Sequence, residues 1–228
     1  MNTILLLDKL KRKTVFTIKD IEHIAFCDNA YARQILHRLK EKALIKQISR
    51  NLYTLKTNIF VISSNIAYPS YVSFWSASSY SGYTEQVLSR IQIAVTRKVK
   101  PINFEGYQIV FIPIKHFFGY KKVQTEEGEL FIVENEKLII DCLLYPKESG
   151  NLDEIEKIIA NAEISSKKMM EYLKRVNNQT LIKRIGYLLE NIRSIDISSS
   201  FRLDSNYVQL NPFRKKGKII IPKWRIKK

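Results

Sequence analysis

Asn29, Ala30, Arg33, Gln34, His37 and Lys40 fall on one side of a segment with helical spacing, and all but Ala30 end in hydrogen-bonding groups. An Arg fork matches the O6 and N7 of guanine, and an Asn or Gln amide matches the N6 and N7 of adenine. Such a face has the chemistry of base reading in a major groove. A short alternating stretch follows with Lys46, Arg50 and Asn51, a composition suited to phosphates or the minor groove. Elsewhere Glu126, Glu127, Glu129, Glu134 and Glu136 crowd together and invite metal-dependent nuclease chemistry. That chemistry wants an acidic residue and then Glu-x-Lys on a strand. Here Lys137 directly follows Glu136, so the spacing fails. His23, His37 and His116 are scattered, and His23 with Cys27 supplies two ligands where a structural zinc site needs about four. The glycines fit neither the GxGxxG nor the GxxxxGK phosphate loop. No catalytic set, metal site or cofactor site is read from the chain.

The net charge of +16 is unevenly spread. Residues 1–57 hold 12 Lys and Arg against 5 Asp and Glu, residues 201–228 hold 9 against 1, and the stretch between holds 17 against 16. Two basic ends on a neutral body suit a polyanion better than an evenly charged surface does. Charge alone does not separate DNA from RNA or from an acidic protein.

The elements that must position the polar face are legible around it. Ile4, Leu5, Leu7 and Leu10 predict a helix over residues 3–12, and Thr14-Val15-Phe16 a short strand. Thr17 followed by Asp20 is close to a capping box, and Ile18, Ile21, Ile24 and Ala25 give the next helix its buried stripe. Phe26-Cys27-Asp28 makes the turn, and Asp28 or Asn29 caps the helix that carries the polar face. Ala32, Ile35, Leu36, Leu39 and Ala43 form its apolar side. Two short strands, 44–49 and 52–55, then make a hairpin turned at Arg50-Asn51. Helix, turn, helix and hairpin outline a winged helix-turn-helix over residues 1–57, whose second helix enters the groove. One copy with a few phosphate contacts would bind weakly, so useful specificity implies a homodimer on a palindromic or repeated operator.

Residues 58–228 read as a larger mixed α+β domain. Asn58–Asn65 is expected as a strand or linker, and a helix is expected to open at Ser70, run through Ser78 and close at Gly82. Strands follow at 91–97 and 107–114, a hairpin at 120–133, and helices at 134–145, 152–162, 166–177 and 179–192. Strands at 207–211 and 218–221 are expected to flank a basic turn, whose Arg214, Lys215, Lys216 and Lys218 would lie along the DNA backbone. Asp141 stands among Leu138, Ile139, Ile140, Cys142, Leu143 and Leu144. A carboxylate so placed is costly unless a cation or backbone donor meets it, so a structural ion pair is expected there. The fold class is therefore α+β, a winged helix-turn-helix followed by the larger domain. No apolar run approaches the ~18–20 residues of a membrane span. Cys27 and Cys142 read as reduced thiols of a cytoplasmic protein.

The run Tyr71-Val72-Ser73-Phe74-Trp75-Ser76-Ala77, with Tyr80, Gly82, Thr84 and Glu85-Gln86, resembles a sequence block of AbiEi-type antitoxins. Phe117-Phe118-Gly119 and the stretch from Glu136 to Asp141 are similar to two further elements of that family. The resemblance covers roughly residues 10–195. The chain departs from the family pattern at Asn135, where a Pro is usual, and at Ser78, where a Leu is common. AbiEi proteins are the antitoxin and repressor halves of AbiE (type IV) toxin–antitoxin systems. The resemblance implies an autorepressor on double-stranded DNA that antagonises a nucleotidyltransferase-like toxin without a stable complex. A free-standing regulator without a toxin, or a protein–protein interaction module, are the alternatives that the residues leave open.

Overall fold

The chain is mixed α+β in the computed structural model, which describes residues 2–85, 87–211, 217 and 219–228. It divides into two compact units. The first comprises Met1–Val72, Leu88–Lys115 and Lys121–Ile132, so it runs past residue 57 and takes in most of a sheet.

Three helices open that unit: α1 (Thr3–Lys11), α2 (Ile18–Ala25) and α3 (Asn29–Glu41). A capping box starts α2, with the Thr17 N–H and hydroxyl both donating to Asp20 Oδ2 at 2.7 and 2.9 Å. Phe26 then turns left-handed and ends the helix. Asp28 caps α3 by accepting the Tyr31 N–H at 2.8 Å. Leu6, Leu10, Phe16, Ile21, Ala32, Leu36, Leu39 and Ile45 form one buried cluster. The periodic apolar positions of three short helices thus make a joint core that none could make alone. β1 (Lys46–Ser49) and β2 (Leu52–Thr54) pair antiparallel after α3. The strand expected at Thr14–Phe16 reduces to a bridge, Phe16 with Tyr53, closed by N–H to carbonyl bonds of 2.9 Å in each direction.

Two expectations fail in the next stretch. Asn58–Asn65 contains a short helix, α4 (Ile59–Ser63), because the Asn58 side chain accepts the Phe60 and Val61 N–H groups and caps it. The helix expected from Ser70 begins instead as a strand, β3 (Ser70–Val72), and only then becomes α5 (Phe74–Tyr80). β3 is a central strand, and all of its residues are buried. The helical spacing of Tyr71, Phe74, Trp75 and Ser78 is a strand end followed by a helix start, and tertiary context overrides the local pattern.

The sheet comprises β3, β4 (Arg90–Val95), β5 (Ile102–Phe104), β6 (Tyr107–Pro113), β7 (Tyr120–Thr125) and β8 (Gly128–Val133), in the order β5-β6-β4-β3-β8-β7. β4 pairs parallel with β6 and antiparallel with β3, and β3 pairs parallel with β8. Ile91, Ile93, Val95, Ile109 and Phe111 are buried along these strands.

The second unit comprises Ser73–Val87, His116–Tyr120 and Val133–Lys228. It packs α5 with α6 (Asn135–Leu144), α7 (Leu152–Asn161), α8 (Ser166–Val176) and α9 (Gln179–Arg193), as the apolar periodicity predicts. Its last strands are β9 (Val208–Gln209), β10 (Ile220–Ile221) and β11 (Ile226–Lys227). The hairpin expected between the first two does not form. β11 lies between them, parallel to β9 and antiparallel to β10. The reason is Trp224 and Ile226, which are buried and draw the final residues inward. Among the described residues, no helix is long and apolar enough to cross a membrane.

Candidate nucleic-acid interface

The polar face of α3 is exposed along its length. Asn29, Ala30, Arg33, Gln34, His37 and Lys40 all point to solvent, while Ala32, Leu36 and Leu39 anchor the opposite side. The face is organised by its own hydrogen bonds. Arg33 Nε donates to Asn29 Oδ1 at 2.8 Å, and the Asn29 amide donates to Glu22 on α2. His37 Nε2 lies 3.2 Å from Glu41 Oε1. Lys40 Nζ donates to Gln47 Oε1 at 2.8 Å, which ties the far end of α3 to β1. The Arg33 terminal nitrogens extend beyond the Nε bond, leaving a planar fork at the middle of the helix.

The three residues expected at the hairpin divide by role. Arg50 is exposed at its tip. Asn51 is a turn residue with φ +60°, and its Oδ1 accepts the Ile18 N–H at 2.9 Å, joining the tip to the start of α2. Lys46 is half-buried and pairs with Glu105 at 2.8 Å. Glu105 sits in the β5–β6 turn and is not among the residues that the sequence pattern singles out. The signal in the sequence is Gly106, a turn former between Ile102–Phe104 and the alternating stretch from Tyr107. Lys40, Lys46, Gln47, Arg50, Asn103 and Glu105 line an open groove of about 530 Å³.

Electrostatics steady this unit. Burial alone would raise the Asp20 carboxyl, but the Lys13 ammonium and the two Thr17 bonds outweigh it and hold the group below its ordinary value. Glu127 behaves alike. Burial works against it, yet the Asn58 N–H at 2.8 Å and the Thr57 N–H at 2.6 Å lower it. Glu129 pairs with Lys122 at 2.7 Å. In the second unit Glu134 meets Lys168 at 3.3 Å, and Glu136 accepts the Ser165 N–H at 2.8 Å. Most of the crowded glutamates are therefore engaged in local structure. Among the described residues, no group of three or more His, Cys, Asp and Glu is arranged to hold a metal ion.

Asp141 is fully buried in the second unit, as is its partner Lys137 one turn earlier on α6. Ser73 Oγ donates to the other carboxylate oxygen at 3.0 Å. Burial pushes the Lys137 ammonium below its ordinary value, and Asp141 opposes that shift. The Phe118 ring lies 5.1 Å from Lys137 Nζ and Ser73 at the start of α5 meets Asp141, which is an architectural setting.

Arg214, Lys215, Lys216 and Lys218 lie outside the described residues. Lys223, Arg225, Lys227 and Lys228 have intramolecular partners. Lys223 pairs with Glu190 at 2.5 Å and Asp196 at 2.8 Å, Arg225 and Lys227 flank the Tyr207 ring, and Lys228 lies over Tyr187.

No protein-family model matches this chain, and no curated protein matches it in sequence.

Proposed function

We propose that residues 1–57 are a winged helix-turn-helix that reads double-stranded DNA, with α3 in the major groove and the β1–β2 hairpin as the wing. One observation carries the reading. α3 presents a continuous exposed row of Asn29, Arg33, Gln34, His37 and Lys40, while its other side is fixed in a core shared with α1 and α2. The order of helix, bridge, helix, helix and hairpin, with Phe16 paired to Tyr53, supports the winged arrangement. The row is neither apolar nor acidic, so its chemistry complements base edges and phosphates.

On this reading the chain is a sequence-specific transcriptional regulator acting as a dimer on a repeated site, and an autorepressor of the AbiEi type. The resemblance of the Tyr71–Gln86 block adds a nucleotidyltransferase-like toxin as the activity it antagonises. A gel shift with the DNA upstream of its own gene tests the first part. Arg33→Ala with His37→Ala should weaken binding by about tenfold or more, since a good bidentate base contact contributes roughly 1–3 kcal/mol. Equal binding by wild type and variant would remove α3 as the reader. Co-expression with a neighbouring nucleotidyltransferase tests the second part, and growth unchanged by this protein would exclude antagonism.

A docking module is the second reading, and Phe26 favours it. That residue is 91% exposed at the turn between α2 and α3. Loss of DNA binding in the Arg33/His37 variant but not in Phe26→Ala decides for DNA.

A further inference from the structure

The groove beside β1 has a second wall, and that wall carries a negative charge. β5 and β6 are joined by the two-residue turn Glu105-Gly106, and both residues are left-handed, with φ of +49° and +80°. Tight turns of this kind favour Asn, Asp or Gly at both positions, because larger side chains crowd their own backbone there. Glu fits that requirement poorly. Its carboxylate nevertheless lies 2.8 Å from the Lys46 ammonium, with the two side chains 48% and 40% exposed. Lys40, Gln47, Arg50 and Asn103 complete the groove, so one acid stands among donors. Strain retained at such a place points to a use for the charge.

We propose that Glu105 withholds Lys46 from DNA phosphates, so that this groove disfavours backbone-only binding. The inference rests on the DNA-reading function proposed above. A lysine that reaches a phosphate strengthens binding to every sequence alike, by displacing counterions. To reach one here, Lys46 must leave a carboxylate, which then stands beside the phosphate and repels it. A protein bound non-specifically slides and tilts until each free cation finds a phosphate. A seated α3 fixes where Lys46 lies. Glu105 therefore subtracts more from random binding than from base-directed binding, and the ratio of the two rises.

The test uses Glu105→Asn in the full chain, since Asn suits the turn and removes the charge. Glu105→Gln is the companion that keeps the side-chain length. Fluorescence anisotropy over a salt series would compare a random-sequence duplex with a duplex that the wild type selects from a random library. Both variants should bind the random duplex ~3–10-fold more tightly, with a salt slope steeper by about 1, one phosphate contact. The selected duplex should gain less, and in a Lys46→Ala background the gain should vanish. Random-duplex affinity and slope equal to wild type in both variants would overturn the proposal. A gain that survives Lys46→Ala would do so as well. A wild type that binds neither duplex ends the DNA reading and this inference together. Loss of the selected duplex in the Arg33/His37 variant, with Glu105 variants unchanged, ends this inference alone.

Discussion

Lys137 and Asp141 face one another one turn apart on α6, and neither side chain reaches solvent. Ser73 Oγ donates to the carboxylate's other oxygen at 3.0 Å. Removing one member leaves the other charged and buried, so Lys137→Met should cost roughly 3–5 kcal/mol. Lys137→Met with Asp141→Leu replaces the pair by apolar groups and should recover most of that loss. Urea denaturation of the two variants and wild type reads both values. A single variant as stable as wild type would mean that Asp141 is neutral when buried.

Gly186 on α9 has no room for a side chain. A Cβ there would lie only 2.0 Å from the ring of Trp224, which is itself buried. Gly186→Ala should therefore destabilise by about 1–3 kcal/mol through overpacking, although Ala is the better helix former. Gly186→Ala with Trp224→Leu should be more stable than either single change. Thermal unfolding of the set measures the coupling.

Asp196 is held down to about 2, first by the Lys223 ammonium and then by the Ser198 N–H, and Glu190 is lowered by the same lysine and then by Trp224. The sign follows from their depressed folded-state values. The stabilisation they supply is complete above the ordinary carboxylate range near pH ~4. It is lost as pH falls through the folded values, about 2 for Asp196. Lys223 is raised by Asp196 and then by Glu190, so its own share is present below its ordinary value and lost only at more alkaline pH. In a Trp75→Phe background the fluorescence of Trp224 reports this corner. Its acid transition should move to higher pH in Lys223→Met, and an unmoved transition would show that the tether does not hold Trp224.

Charge and packing must be separated at the end of the sequence. Deleting residues 213–228 would remove Trp224 and Ile226 from the core together with the cations. Changing Arg214, Lys215, Lys216 and Lys218 to Gln removes four charges while keeping Trp224 and Ile226 in the chain. If those four meet DNA phosphates, the salt slope should become shallower by up to about 3–4. An unchanged slope would place the DNA contacts elsewhere.

Much of this architecture is written locally. The Thr17–Asp20 box, the Asp28 cap and the apolar spacing of Ala32, Leu36 and Leu39 all depend on near neighbours in sequence, and they fall where the pattern predicts. Ser70–Val72 does not, because its conformation is set by β4 and β8, distant in sequence and unreadable from a helical period. The same holds for β11. Its insertion between β9 and β10 depends on a ring finding a glycine on α9. The exposed row on α3 follows from the sequence, since an amphipathic helix buries its apolar side. Glu105 does not, because its meaning comes from Lys46, far away in the chain.

The strand that unites β9 with β10 is also the last of the three to be synthesised. On a ribosome, the first two emerge with no neighbour to bond, and α9 carries an open notch at Gly186. Neither can be completed until residues 224–227 have left the exit tunnel. A nascent chain halted just short of that point would expose apolar surface that Trp224 and Ile226 later cover. Trp224 thus gives this face of the second unit a temporal order, in which the ring that fills the notch is synthesised after the helix that carries it.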